Sequence, residues 1–279
     1  MRNKPVIAID LGGTNIRAGI VVNGSVGAIK SIPLQAKETK EKVLQQLYEL
    51  IDEVMAKSVT AIGVAVPGLV AADSRVLHDT VNIPSWKEID LVKILEAKYQ
   101  LPVKIENDAN CFVLGEYFFG EAQNYETVAG LTIGTGLGTG LIIGKKLFGG
   151  KHGGAGEFGM IPYLDKNLEY YASGKFFENI YGINGETVYA RAMNNNREAL
   201  DIYKVFGHHV GEAIKIMLYA LDIECFVIGG SVKNAFSFFS KAMWESISKF
   251  EYQRAVQNLK IEVSHLPNSN IVGAASLHY

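Results

Sequence analysis

Two short turns rich in glycine and threonine stand at corresponding places in the two halves of the chain. The first, DLGGTN at residues 10–15, joins two apolar runs. Its glycines, Gly12 and Gly13, carry no Cβ, so backbone N–H groups there can approach an anion closely. The Thr14 hydroxyl can donate to a phosphate oxygen, and Asp10, at the end of an apolar run, can hold Mg²⁺ directly or through water. The second turn lies in IGTGLGTG at residues 133–140, where four glycines and two threonines fall within seven positions. Glycine weakens a strand, so that density needs a backbone purpose. Either turn alone also reads as a plain hairpin. Two of them at matching places read as a pair of phosphate-binding turns. Neither is a Walker A loop or a dinucleotide fingerprint, because a strand follows each where those motifs require a helix.

Three further constellations carry polar chemistry. In ENDAN, residues 106–110, an acid stands where a strand gives way to a helix. The carboxyl ends of strands face the ligand crevice in open α/β sheets. Asp108 there could take a proton from a hydroxyl attacking a γ-phosphate, and Asn107 could hydrogen-bond a polyol. Either could instead cap the following helix. In HGGAGEFGM, residues 152–160, Glu157 sits inside a glycine-rich loop, and a carboxylate suits vicinal sugar hydroxyls. Glu169 follows in LEYYASG and reads either as a second such carboxylate or as an exposed helix acid, while His152 reads as a solvated loop side chain. Gly229 and Gly230 end an apolar run and fit either an adenine or ribose contact or a strand-to-helix turn.

The elements that must position these groups are legible as hydrophobic periods. Residues 6–9, 16–22 and 26–32 read as a three-stranded meander with Asn23-Gly24 as a hairpin turn. Val43, Leu47, Leu50, Ile51 and Val54 form a helical stripe, and residues 61–66 form a buried strand ending at Pro67-Gly68. A helix at 91–99, a strand at 103–106 and an apolar helix at 109–119 complete the first half. Strands at 127–133 and 138–143 restart the pattern, followed by a long helix at 199–221 and a strand at 225–228. The chain therefore reads as a duplicated α/β unit with its boundary near residues 115–120. Trp86 and the phenylalanines at 236–239 read as packing, and His208-His209 as a helical pair without a metal-ligand set.

Composition excludes several classes. The 279 residues carry a net charge of −2, which does not favour a basic nucleic-acid surface. Cys111 and Cys225 lie far apart in apolar runs, so neither a disulfide framework nor a CxxC site is possible. No run reaches the ~18 apolar residues of a membrane span, and the N-terminus turns acidic too early for a signal peptide. A cytoplasmic protein without membrane or nucleic-acid partners is expected.

Taken together, DLGGTN, VAVPGLV at 64–70, ENDAN, IGTGLGTG, GAGEFG at 154–159 and GGSV at 229–232 resemble the ROK sugar kinases of the actin-like ATPase/hexokinase superfamily, in the family's order and over essentially the whole chain. The resemblance implies two α/β lobes of the actin-like ATPase (ribonuclease H-like) kind flanking a central cleft. The expected N-terminal lobe covers 1–115, the C-terminal lobe 116–267, and a final helix at about 268–279 packs back on the first lobe. It implies Asp10, Gly12, Gly13, Thr14 and Asn15 as the first phosphate loop and Gly134, Thr135, Gly136 and Gly138 as the second. Asp108 becomes the catalytic base, and Asn107, Glu157 and Glu169 become sugar ligands. Gly68 and Thr80 or Asn82 line up with sugar-side loops, and Gly229 and Gly230 with the nucleotide wall. The implied reaction is ATP- and Mg²⁺-dependent phosphorylation of a hexose or N-acetylhexosamine at O6, glucose first, then N-acetylmannosamine or N-acetylglucosamine, by a homodimer. A non-catalytic sugar sensor is the alternative, and an actin-like ATPase without a sugar is a third reading.

The sequence also departs from the family. Where many members carry a zinc site made of a histidine and three closely spaced cysteines, Met160 stands at the histidine position and residues 161–169 hold no cysteine, so no structural zinc is expected. The first phosphate loop begins at Asp10, so the N-terminal helix-turn-helix of ROK repressors is not expected.

Overall fold

A computed structural model of the chain describes residues 3–71, 76–78, 80 and 82–279. The described residues form two compact units, one of Met1–Asn124, Gly140–Ala155 and His265–Tyr279, the other of Tyr125–Thr139 and Gly156–Ser264.

The sheet of the first unit is ordered Ser25–Val26, Asn15–Val22, Val6–Leu11, Ala61–Val66, Val103–Asn107, with Lys30–Pro33 also pairing Asn15–Val22. Val6–Leu11 is antiparallel to Asn15–Val22 and parallel to Ala61–Val66, which is parallel to Val103–Asn107. All six residues of Val6–Leu11 are buried because the strand is covered on both faces. Side chains alternate between the faces. Ile7, Ile9 and Leu11 join the core under helices Lys40–Val54 and Leu91–Tyr99, while Val6 and Ala8 join a smaller core with Ile271, Ala274 and Ala275. The smaller core is built from small residues, so the terminal helix Ser269–Ser276 comes very close. A Cβ on Gly63 would stand 2.0 Å from the Ala274 carbonyl oxygen, and one on Gly273 would stand 1.7 Å from that of Cys111.

The strand expected at 26–32 is two short pieces, Ser25–Val26 and Lys30–Pro33, which pair successively along the same partner strand. Gly27 bonds back to Ile20 between them, and Ala28 and Ile29 leave the ladder.

In the second unit, Val128–Ile133, Cys225–Gly229 and Lys260–Val263 are successive hydrogen-bonded neighbours, all parallel. The long helix Arg197–Leu221 starts at Asn196, whose side chain accepts from the Ala199 amide, and ends at Asp222 in the left-handed region. Gly207 and Gly211 let helix Phe236–Ile247 pack against it at backbone distance, with hypothetical Cβ atoms 2.3 Å from the Phe239 oxygen and 2.6 Å from the Met243 oxygen. Phe176, Phe177, Tyr203, Phe206 and Phe239 fill the space around this helix, so the phenylalanine expected to pack does pack.

Candidate functional site

In the first unit, three parallel strands deliver the candidate residues to one end of the sheet. Register places Asp10 opposite Ala65 and Val66 opposite Asn107, so Asp10, Gly68 and Asn107-Asp108 all follow the same carboxyl ends. The turn after Asp10 is tight, with the Gly12 amide donating to the Asn15 oxygen at 3.0 Å. The Asn82 side chain lies over this turn: a Cβ on Gly13 would stand 2.9 Å from its Nδ2. Thr14 and Asn15 are exposed at the turn. Asp10 is buried, and its Oδ2 accepts from Arg17 at 2.5 Å. Arg17 stands directly opposite Asp10 on the neighbouring strand, and the other end of its guanidinium donates to Asn268 at 3.4 Å. Arg17 was not singled out from the sequence; a cation at the cross-strand position of the turn's acid was the available signal.

Asn107 does two things at once. Its Oδ1 accepts from the amides of Ala109 (2.9 Å) and Asn110 (3.2 Å), capping helix Asp108–Phe119, and its Nδ2 donates to the Gly68 oxygen at 3.2 Å. The capping reading of Asn107 is therefore correct, and the cap leaves one amide proton for a ligand. Asp108 is half-buried at the first position of the helix, where the dipole favours a carboxylate. Gly68 has no room for a side chain, since a Cβ would lie 2.8 Å from the His78 oxygen. The Thr80 hydroxyl is committed to the carbonyl oxygens of Ile83 (2.8 Å) and Trp86 (2.6 Å), which fixes the loop around it. Glu106 is buried behind these residues; its Oε1 accepts from the Asn107 amide at 2.8 Å and from Asn110 Nδ2 at 3.0 Å. Burial raises its pKa against the lowering effect of those two bonds. It lines a cavity of about 410 Å³ with Val70, Phe148 and Lys151.

The second unit holds the other candidates. The Gly134-Thr135-Gly136 turn is closed by Gly134 N–H donating to the Gly136 oxygen at 3.0 Å. It is tied down from outside: Gly174 N–H donates to the Gly134 oxygen at 2.7 Å and the Ser173 hydroxyl to the Thr135 oxygen at 3.2 Å. Gly138 continues the strand, its oxygen accepting from the Thr132 hydroxyl at 3.3 Å. Gly229 lies in register with Thr132, and Gly230 follows with φ of +78°, where a Cβ would meet the Ile133 oxygen at 2.3 Å. A cavity of about 380 Å³ opens beside this arrangement, lined by Gly134, Thr135, Gly174, Lys175, Tyr189, Ser231 and Asn234 among others. That volume lies in the range of ligand pockets. Lys175, Tyr189 and Asn234 were not predicted; Lys175 directly follows the LEYYASG motif, which was the available signal.

Glu157 precedes the short helical turn Phe158–Met160. Gly156 before it has φ of +97°, and a Cβ there would be 2.1 Å from the Thr139 oxygen, so the loop can take this path only with glycine. Burial, then the charge of Glu169, raises the Glu157 pKa. Glu169 faces the phosphate-type turn: its Oε2 accepts from the Leu137 amide at 3.1 Å and its Oε1 from Lys175 at 3.0 Å. Met160 is 62% exposed, and His152 is exposed in its loop. A larger cavity of about 630 Å³ lies in the same unit by Tyr219, Phe250 and Tyr252, at the amino ends of the strands.

Residues 6–279 match the sequence model of the ROK family. The chain belongs to the ROK family. An N-acetyl-D-glucosamine kinase of Vibrio parahaemolyticus is 31% identical over 96% of this chain and 98% of its own. A xylose repressor of Caldicellulosiruptor bescii is 29% identical over 96% of this chain and 76% of its own. The crystal structure of a ROK family glucokinase from Streptomyces griseus, in complex with glucose and AMPPNP, superimposes with a TM-score of 0.84 at 26% identity and covers 98% of each chain. The α/β fold is thus that of the actin-like ATPase sugar kinases of this family, as the motifs of the sequence implied. Among the described residues no helix is long and apolar enough to cross a membrane, and no cluster of three His, Cys, Asp or Glu is placed to hold a metal.

Proposed function

We propose that this ROK protein is an ATP-dependent sugar kinase that transfers the γ-phosphoryl group to a hydroxyl of a hexose or N-acetylhexosamine, at O6. The observation that carries the reading is the cavity of about 380 Å³ lined by Gly134, Thr135, Gly174 and Ser231, a ligand-sized space beside the phosphate-type turn. The glucokinase and N-acetylglucosamine kinase relatives support it. In this reading the turn that the Gly134 amide closes presents Thr135, Gly136 and Gly138 to the phosphates, while Gly229, Gly230 and Ser231 form the nucleotide wall. Gly13, Thr14 and Asn15 form the second set of phosphate donors, on the turn that the Gly12 amide closes.

Asp108 accepts the proton of the attacking hydroxyl as the phosphoryl group is transferred. Asn107, already anchored as a helix cap, offers its remaining amide proton to a sugar oxygen. Glu157 and Glu169 accept from sugar hydroxyls; the bonds Glu169 makes to Leu137 and Lys175 leave lone pairs for that purpose. Gly68 and Asn82 complete the sugar side through backbone and amide groups. Thr80 acts by shaping its loop, with its hydroxyl proton spent on carbonyls. The donor set at Asp10 fits Mg²⁺: a buried, hard carboxylate with one oxygen on Arg17 and no hydrogen bond from the described residues to the other. Mg²⁺ held there would neutralise phosphate charge. A cytoplasmic homodimer belongs to the same reading, and light scattering on the eluted protein tests its dimeric part.

The test is coupled ADP release with Mg·ATP over glucose, mannose, N-acetylglucosamine and N-acetylmannosamine. Release far above the sugar-free rate for one of them supports the kinase and names its sugar. A sugar sensor is the second reading, favoured by the likeness to the xylose repressor. Sugar binding seen by thermal shift, without turnover on any of the four, selects it.

A further inference from the structure

Glu157 and Glu169 flank a small hairpin whose strands, Pro162–Tyr163 and Lys166–Asn167, pair only with each other among the described residues. A two-stranded hairpin is marginal in water on its own. This one also turns through Leu164 at φ of +52°, a conformation unfavourable for leucine. A contact outside the hairpin must hold it. The Tyr163 hydroxyl lies 3.0 Å from Nδ1 of His209 on the long helix Arg197–Leu221. The imidazole is packed among the rings of Tyr163, Tyr171 and Phe176, with centroids 5.7, 5.0 and 5.7 Å away. Burial holds the His209 pKa down to about 4, so at neutral pH the ring is uncharged and Nδ1 can accept. At the hairpin tip, Asp165 accepts from the Tyr171 hydroxyl.

Both ends of the hairpin run straight into the two carboxylates. Ile161 N–H bonds the Phe158 oxygen, in the helical turn that Glu157 begins, at 3.1 Å. Leu168 N–H closes the base on the Ile161 oxygen at 3.0 Å, and Asn167 caps the short helix Leu168–Ala172 that carries Glu169.

We propose that Tyr163 and His209 are a positioning pair: the phenol, donating to Nδ1, fixes the hairpin on the long helix and thereby sets where Glu157 and Glu169 stand to receive the sugar. The proposal rests on the sugar-kinase reading above. Neither residue touches the reacting groups; each acts through the carboxylates.

Tyr163→Phe removes one hydroxyl and keeps the ring. It raises the sugar KM ~5-fold or more, the weight of one hydrogen bond, with kcat within ~3-fold. His209→Leu does the same, and His209→Gln, whose amide oxygen can accept the bond, restores most of the loss. The double variant Tyr163→Phe/His209→Leu is no worse than either single, as expected for one shared interaction. Hydrogen exchange followed by mass spectrometry supplies a readout without a sugar: amides of residues 161–169 exchange faster in Tyr163→Phe, while strand Cys225–Gly229 keeps its protection. A sugar KM within 2-fold of the parent in Tyr163→Phe overturns the proposal. A parent protein inactive on every sugar overturns the function instead, and the exchange rates then decide the pair: faster exchange upholds it, and unchanged exchange overturns it. Should His209→Leu fail to fold, Tyr163→Phe carries the test alone.

Discussion

Asp108 and Glu157 carry the sharpest expectations at the scale of single residues. Asp108→Asn keeps the size and position of the side chain at the first turn of helix Asp108–Phe119 and removes its basicity. Turnover should fall ~10²–10⁴-fold, while sugar binding by calorimetry persists; near-normal turnover would remove Asp108 from the chemistry. In the proposed reading Glu157 accepts from sugar hydroxyls, which calls for its ionised form. Its pKa is raised by burial and by Glu169, so it takes up its proton at a higher pH than an ordinary glutamate. The sugar KM should therefore rise as pH falls, beginning above the ordinary carboxylate range, and Glu157→Gln should flatten that profile. At this scale the sequence was informative where chemistry and backbone geometry coincide. Gly13, Gly136 and Gly156 could be read as deliberate because no packing role explains such glycine density, and each proves to have a polar group where its Cβ would be. The second duties were not legible. Nothing in ENDAN says that Asn107 also reaches Gly68, or that Thr80 spends its proton on Ile83 and Trp86, because those bonds depend on how distant loops fold.

Among the elements, the close docking of helix Ser269–Ser276 makes a stability prediction. Gly273→Ala would press a methyl group onto the Cys111 carbonyl, and Gly63→Ala would do so onto that of Ala274. Each should cost ~1–3 kcal/mol or more, seen as a lower midpoint in thermal or urea unfolding; an unchanged midpoint would refute the close packing. The long helix Arg197–Leu221 makes another through His209. Its pKa is about 4 in the folded protein against 6.5 ordinarily. Between those values the unfolded chain binds a proton that the folded chain refuses, so stability falls as pH drops through that window. His209→Gln should remove this part of the loss, leaving a shallower fall between pH 6.5 and 4. Long amphipathic helices and buried strands were legible because their hydrophobic period repeats over several turns or pairs. The hairpin Pro162–Asn167 and the short helices Leu168–Ala172 and Lys175–Tyr181 were not, since two strand residues or a turn and a half of helix leave too few periods to count. They are held by tertiary bonds such as Tyr163 to His209, which no local pattern announces.

At the level of the whole molecule, six motifs from DLGGTN to GGSV, standing in the family's order, make the family recognisable, and the match over residues 6–279 bears that recognition out. The assignment of particular residues to particular contacts within each unit came from the coordinates alone. In the proposed reading the choice of sugar falls to the loops around Glu157, where Met160 is an exposed thioether with little hydrogen-bonding power. In the proposed reaction the γ-phosphoryl group leaves ATP for a sugar oxygen. The most direct measurement is phosphorus NMR of the protein with Mg·ATP and the sugar that best stimulates ADP release. The account predicts a new phosphomonoester resonance that grows in step with ADP, absent with Asp108→Asn over the same period. ADP accompanied only by inorganic phosphate, or ATP left unconsumed with every sugar, would contradict it.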